Sequence, residues 1–100
     1  MTTDRPARDR GVYGISVAAE LVDMEPQSLR LYESRGLVSP RRTDGGTRRY
    51  SEVDLVRIRR IGELLGMGLN LAGIAVVLEL EAENQALRAE LDGRPPRPEA

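Results

Sequence analysis

Residues 15–51 read ISVAAELVDMEPQSLRLYESRGLVSPRRTDGGTRRYS, and the order of small, apolar and basic residues in this stretch decides the fold. Ser16 is placed to cap a short helix over VAAELV, whose small residues allow close packing against a neighbour. Asp23, Met24 and Glu25 then precede Pro26, and proline is pre-organised for the first position of a helix. A second helix is therefore predicted from Pro26 to about Arg35, ending at Gly36. Two short helices across a turn of this length form a helix-turn-helix. On the second helix Leu29 and Tyr32, at i and i+3, face inward, whereas Gln27, Arg30, Leu31 and Ser34 share the opposite face. That face carries an amide, a guanidinium, a hydroxyl and an exposed leucine. These are groups that bond adenine, bond guanine or phosphate, and touch a thymine methyl.

Downstream, Asp44-Gly45-Gly46 is tight-turn chemistry, and its flanks Arg41-Arg42-Thr43 and Thr47-Arg48-Arg49-Tyr50 read as two short strands. Four arginines surround this hairpin, with only Asp44 as a local counter-charge. A wing of this kind beside a helix-turn-helix sets guanidinium and tyrosyl groups against flanking phosphates, which fix register on a duplex without carrying its sequence. Ser51-Glu52-Val53-Asp54 has the Ser-x-x-acid pattern of a helix start, and Leu55, Ile58, Ile61, Leu64 and Leu65 continue it as an apolar stripe. Gly66-Met67-Gly68 ends that helix. Asn70 is placed to cap a last helix through LAGIAVVLELEAENQALRAELD, along which Val77, Leu80, Asn84, Leu87 and Leu91 alternate spacings of three and four. A seam of about two heptads cannot hold together without further contacts. It predicts dimerisation, with Asn84 at an a position, against the alternative of one amphipathic helix folded back on its own domain.

The 100 residues suffice for one small domain with tails and not for a second core. Aromatics are 3%, with three Tyr and no Phe or Trp, so the core must be aliphatic. The absence of Cys and His removes disulfides, thiolate metal sites, thiol nucleophiles and the commonest general base, so neither an enzyme nor a metal or cofactor site is expected. Lys is absent too, and all fifteen basic residues are Arg, whose planar fork suits phosphate and guanine. The net charge of -1 hides a split: residues 26–60 hold nine Arg against four acids, residues 61–100 three Arg against seven. Such a split implies one part facing a polyanion. The expected organisation is mainly α. Disordered tails are expected over 1–11 and 92–100, a winged helix-turn-helix over 12–69, and a dimerisation helix over 70–91. With no signal peptide and no apolar run of membrane length, the chain reads as cytoplasmic, without a membrane partner.

Ile15-Ser16-x-x-Ala19, Ser28-Leu29-Arg30-x-Tyr32-Glu33-x-x-Gly36-Leu37, Pro40-x-Arg42-Thr43 and Arg48-Arg49-Tyr50-Ser51 together resemble, in that order, the DNA-binding pattern of the MerR family of bacterial transcription regulators. Residues 15–43 and 68–81 are similar to its branch of heat-shock repressors called HspR, a likeness that runs from about Tyr13 to Leu91. The resemblance implies a homodimer, with a winged helix-turn-helix in each subunit and the C-terminal helices paired across a twofold axis. For that branch it also implies repression of chaperone genes from inverted repeats in double-stranded DNA, with the chaperone DnaK as a partner. By position, Ser16, Gln27, Ser28, Arg30, Leu31, Tyr32 and Arg35 become DNA-contact candidates around the recognition helix. Arg41, Arg42, Thr43, Arg48, Arg49 and Tyr50 become candidates on the wing. Asp23 stands where the family usually has Gly, a substitution that should cost stability. The metal-sensing branches use Cys, which this chain lacks, leaving DNA, a partner protein or temperature as inputs. Two other assignments share these features: a developmental or nucleoid-associated regulator of other genes, and, in a different class, an acidic coiled-coil adaptor. The outward Gln27, Arg30 and Ser34 beside the wing arginines favour DNA over the adaptor.

Overall fold

The computed structural model describes residues 7–93. Its elements run α1 (Ile15–Leu21), α2 (Pro26–Ser34), β1 (Arg41–Arg42), β2 (Arg48–Arg49), α3 (Glu52–Gly66) and α4 (Leu71–Asp92). The fold is the mainly α, winged helix-turn-helix type that the sequence predicts, with Pro26 in the first turn of α2. Ala18 and Ala19 on α1 are buried in the same cluster as Leu29 and Tyr32 of α2 and Leu55, Ile58, Ile61 and Leu64 of α3. Leu65, expected in that stripe, is 36% exposed at its edge. Ser51 and Asp54 form a complete capping box at the start of α3: the Ser51 hydroxyl accepts from Asp54 N–H at 3.0 Å, and the Asp54 carboxylate accepts from Ser51 N–H at 2.9 Å. Asn70 caps α4, accepting from Gly73 N–H at 2.8 Å. Caps of this kind contribute about 1 kcal/mol each.

Two expectations are corrected at the N-terminal side. Residues 7–11, assigned to an unstructured tail, fold onto the domain: the Arg8 carbonyl accepts from Val53 N–H at 3.1 Å. Tyr13 then forms an antiparallel bridge with Tyr50, with N–H to carbonyl distances of 3.0 and 2.7 Å in the two directions. This bridge keeps the chain extended up to Gly14, whose carbonyl accepts from Ala18 N–H. Gly14 rather than Ser16 is therefore the N-cap of α1, and Ser16 is an exposed residue within the first turn. At the other end α4 continues through Asp92 and is capped by Gly93. Residues 1–6 and 94–100, the remainder of the expected tails, lie outside the described residues.

α4 packs on α3 through Ile74 and Leu78, which are 0% and 5% exposed. Arg60 of α3 fastens the same contact, its guanidinium donating twice to the Glu81 carboxylate at 2.7 and 3.1 Å. That hydrogen bond, more than charge alone, holds the Glu81 carboxyl below the ordinary carboxylate range. From residue 82 onward every described residue of α4 is exposed, so about 16 Å of helix projects from the domain.

Three helices end with the same pair of backbone hydrogen bonds, which identifies the first turn as a point of strain. After α2, Gly36 N–H bonds to the Glu33 carbonyl and Leu37 N–H to that of Tyr32. After α3, Gly68 bonds to Leu65 and Leu69 to Leu64, and after α1, Asp23 bonds to Glu20 and Met24 to Ala19. This 6→1 and 5→2 pattern requires a left-handed residue at its centre. Two of the three centres are Gly36 and Gly68, at φ +72° and +94°, whereas the third is Asp23 at φ +58°. Asp enters that region more readily than most residues, yet still against the clash of its Cβ. Asp23→Gly should accordingly stabilise the free protein by about 0.5–1 kcal/mol and raise its melting temperature by roughly 2–8 °C. Thermal denaturation followed by circular dichroism checks this; a lower melting point would mean that the Asp23 carboxylate outweighs its backbone strain.

Candidate nucleic-acid interface

α2 separates its residues by face as its apolar spacing requires. Leu29 is fully buried and Tyr32 is 5% exposed, whereas Gln27, Arg30, Leu31 and Ser34 are exposed and line one shallow depression with the half-buried Ser28. Within it Arg30 donates to the Gln27 side-chain oxygen at 3.1 Å, so amide and guanidinium stand side by side. The Ser34 hydroxyl donates to the Leu31 carbonyl at 2.7 Å, leaving its oxygen as an acceptor. Leu31 is 43% exposed on this polar surface and is available for apolar contact. Arg35, the C-cap of α2, is exposed, and Ser16 is exposed on α1.

The wing is a short hairpin with Arg41 opposite Arg49 and Arg42 opposite Arg48. Its loop closes by Thr43 N–H to the Thr47 carbonyl at 2.8 Å and Gly46 N–H to the Thr43 carbonyl at 2.8 Å, with Gly46 at φ +85°. This is a three-residue hairpin loop with a left-handed bulge residue. The Thr43 hydroxyl accepts from Thr47 N–H at 3.2 Å and so belongs to the loop's own closure.

The wing's charges are not arranged as the sequence suggested. Asp44 is not the local counter-charge: Glu33, on α2, lies against two of the four arginines. Arg48 Nε donates to its two carboxylate oxygens at 2.8 and 3.2 Å, and Arg42 Nη2 donates to the same pair at 3.2 and 3.1 Å. The hydrogen bond to Glu33 raises the Arg48 pKa further above its ordinary value. Arg41 and Arg49 have no acidic partner among the described residues.

The two tyrosines expected against DNA are corrected to core positions. Tyr50 is fully buried, and its hydroxyl finds no hydrogen-bond partner among the described residues; burial pushes its pKa up. Tyr32 lies in the same cluster, and burial raises its pKa while a hydrogen bond with Ser28 opposes the shift. Both are the large residues that an interior without Phe or Trp has available. The basic segment is likewise partly spent on the fold: Arg57 donates to the Leu37 carbonyl, Arg59 to that of Leu21, and Arg60 to Glu81. Glu33 was missed among the candidate residues, because its partners lie nine and fifteen positions away and only the folded hairpin brings them to it.

On α4 the expected seam divides. Val77 is half-buried against its own domain, whereas Leu80, Leu87 and Leu91 are 57%, 59% and 61% exposed. Asn84 accepts from Arg88 Nε at 2.7 Å within the helix.

Comparison with known proteins places these features together. The model of MerR HTH family regulatory proteins matches residues 13–81. The chain is 52% identical over 87 residues to HspR of Streptomyces coelicolor, a heat shock protein by name, covering 83% of this chain and 58% of that one. It is 40% identical over 85 residues to the HTH-type transcriptional regulator GlnR of Bacillus anthracis, covering 85% of this chain and 64% of that one. It thus spans about three-fifths of the length of these curated relatives. Among solved structures, the transcription regulator PbrR691 of Ralstonia metallidurans CH34, in complex with lead(II), matches with a TM-score of 0.68 at 29% identity, over 81% of this chain and 67% of that one. With its matched segment running from the wing's bridging residue Tyr13 to the α3–α4 fastening at Glu81, the chain belongs to the MerR family of helix-turn-helix regulatory proteins.

Proposed function

We propose that this chain is a sequence-specific DNA-binding transcriptional regulator that represses heat-shock or chaperone genes, as a homodimer on an inverted repeat in double-stranded DNA. The observation that carries the reading is the solvent-facing side of α2. Gln27, Arg30, Leu31 and Ser34 stand together there, in the same domain as a wing that keeps Arg41 and Arg49 without acidic partners among the described residues. A major groove about 12 Å wide admits a helix, so α2 reads base edges while the wing holds the flanking phosphates. The 52% identity with HspR over 87 residues supports the heat-shock assignment. The proposal extends to the chaperone DnaK as a partner and to action on the nucleoid in the cytoplasm.

The dimer is supported by the apolar side chains that α4 leaves in water. Leu80 lines a groove between α3 and α4 together with Val53 and Val56, which are 47% and 49% exposed, so the seam continues onto the domain. In the proposed dimer a second copy of the chain, related by a twofold axis, covers this apolar surface.

Selection of bound sequences from random duplex DNA tests the reading, with enrichment of an inverted repeat expected and no enrichment of any sequence overturning it. Three variants test its parts. Arg30→Ala should weaken operator binding by about 1–3 kcal/mol and relax the preference at one base pair per half-site. Equal loss on operator and scrambled DNA would leave Arg30 a phosphate contact. Arg49→Ala should leave the preferred sequence unchanged while reducing the slope of log K against log salt by about 0.9 for each of two lost phosphate contacts per dimer. An unaltered slope in a folded dimer would remove Arg49 from the interface. Leu87→Glu should give a monomeric mass by light scattering with the winged domain still folded, because Leu87 lies beyond the domain's own core.

A further inference from the structure

We propose that Glu33 is a specificity-determining positioning residue: its carboxylate joins α2 to the wing through Arg42 and Arg48, fixing where the wing stands relative to the base-reading helix. The inference rests on the DNA-binding reading above and extends it to a residue that touches no DNA.

The wing needs such an anchor. Its ladder contains only two residue pairs, and a two-stranded hairpin is marginal by itself in water. Both pairs set arginine opposite arginine, an arrangement that like-charge repulsion disfavours. One end of the hairpin is tied by the Tyr13–Tyr50 bridge. The Arg42–Arg48 pair is tied by Glu33, whose two oxygens receive nitrogens from both side chains at 2.8–3.2 Å. Arg42 extends the tie to the turn, donating from Nη1 to the Gly46 carbonyl at 2.9 Å. Glu33 is itself rigidly placed, since it follows the buried Tyr32 and its own carbonyl accepts the helix-ending hydrogen bond of Gly36.

The four arginines therefore divide by cross-strand pair. Arg42 and Arg48 are committed to the protein, while Arg41 and Arg49 lack acidic partners among the described residues and are left for the phosphates. A neutral side chain at position 33 would undo both parts of this division. The wing would lose its fixed distance from α2, and two further guanidinium groups per protomer would become available to any duplex. Discrimination should fall while salt-dependent, sequence-independent attraction rises.

The experiment compares the full chain with Glu33→Gln and with the double variant Arg42→Gln/Arg48→Gln. In the free protein, hydrogen exchange at the Thr43 and Gly46 amides should accelerate roughly tenfold or more in both, as the wing opens locally. On the operator obtained by selection and on scrambled duplex, Glu33→Gln should lower the affinity ratio roughly tenfold and steepen the salt dependence. The double variant should lower the ratio similarly without steepening the salt dependence, because its cations are gone. Unchanged wing exchange and an unchanged affinity ratio in a folded Glu33→Gln protein would overturn the proposal. So would a double variant whose salt slope drops by about 0.9 for each of four contacts per dimer, since Arg42 and Arg48 would then be phosphate ligands themselves. If Glu33→Gln fails to fold, the double variant supplies both readouts. A wild-type chain that prefers no sequence would instead defeat the DNA-reading function, and the exchange measurement would still decide whether Glu33 anchors the wing.

Discussion

The burial of one side of α2 is the constraint on which the other elements depend. A nine-residue helix does not persist alone in water, because its nucleation cost is not repaid over so short a length. Here Leu29 and Tyr32 are enclosed with Ala18 and Ala19 of α1 and with the apolar stripe of α3. Full burial of a side chain the size of leucine contributes about 1.5–3 kcal/mol, more than the surface hydrogen bonds around it. The small alanines matter because they let α1 approach closely, and Pro26 matters because it starts α2 at the point where Leu29 then falls inward. Once that side is buried, Gln27, Arg30, Leu31 and Ser34 are held outward without needing any contact of their own.

Electrostatics then divides the arginines of the basic segment among separate tasks. Arg57 and Arg59 satisfy carbonyls at Leu37 and Leu21, and Arg60 fastens α4 through Glu81. Arg42 and Arg48 share Glu33. In the proposed complex, Arg35, Arg41 and Arg49 are left for the DNA, together with Arg30 beside Gln27. A count of charge along the chain overstates the cationic surface, because a guanidinium that donates to a carbonyl or pairs with a carboxylate in the fold is not equally available outside it. The smaller set is better suited to recognition, since fewer mobile cations mean less attraction that ignores sequence.

Features carried by local chemistry were legible in the sequence. Pro26, the Ser51–Asp54 box, the Asn70 cap and the Asp44-Gly45-Gly46 turn each act through neighbouring backbone groups, and each appears where its residues predict. Ser16 failed as a cap because the decision lay 34 residues away, at Tyr50: its bridge to Tyr13 sets the backbone that leads into α1. Backbone pairing of this kind carries no side-chain signature, which also hid the folding of residues 7–11 onto the start of α3. Tyr32 and Tyr50 were misplaced for another reason. A family pattern marks positions that matter without stating whether they matter by contact or by packing, and in an interior without Phe or Trp a tyrosine is the largest filler available. The i, i+3 spacing of Leu29 and Tyr32 already pointed inward, and for Tyr32 the spacing was the better guide.

α4 carries two apolar stripes, of which its own domain buries one. At 100° per residue, Ile74 and Leu78 mark one stripe, and Leu80, Asn84, Leu87 and Leu91 mark another about 130° away. The first stripe is buried against α3, and Val77 lies between the two, half-buried. The leucines of the second stay 57–61% exposed. A helix serving only its own core would bear one stripe and end near Glu81, the last residue of α4 that is not exposed. Instead it runs a further eleven residues, with leucines at 87 and 91 in phase with Leu80 and alternating with charged residues. Exposed leucines spaced in this way add nothing to the stability of a monomer and invite non-specific association. Their phase fits a second helix lying along the first, and in the proposed dimer that helix comes from a second copy of the chain, so the surface that joins the subunits is continuous with the groove that α3 already offers through Val53 and Val56.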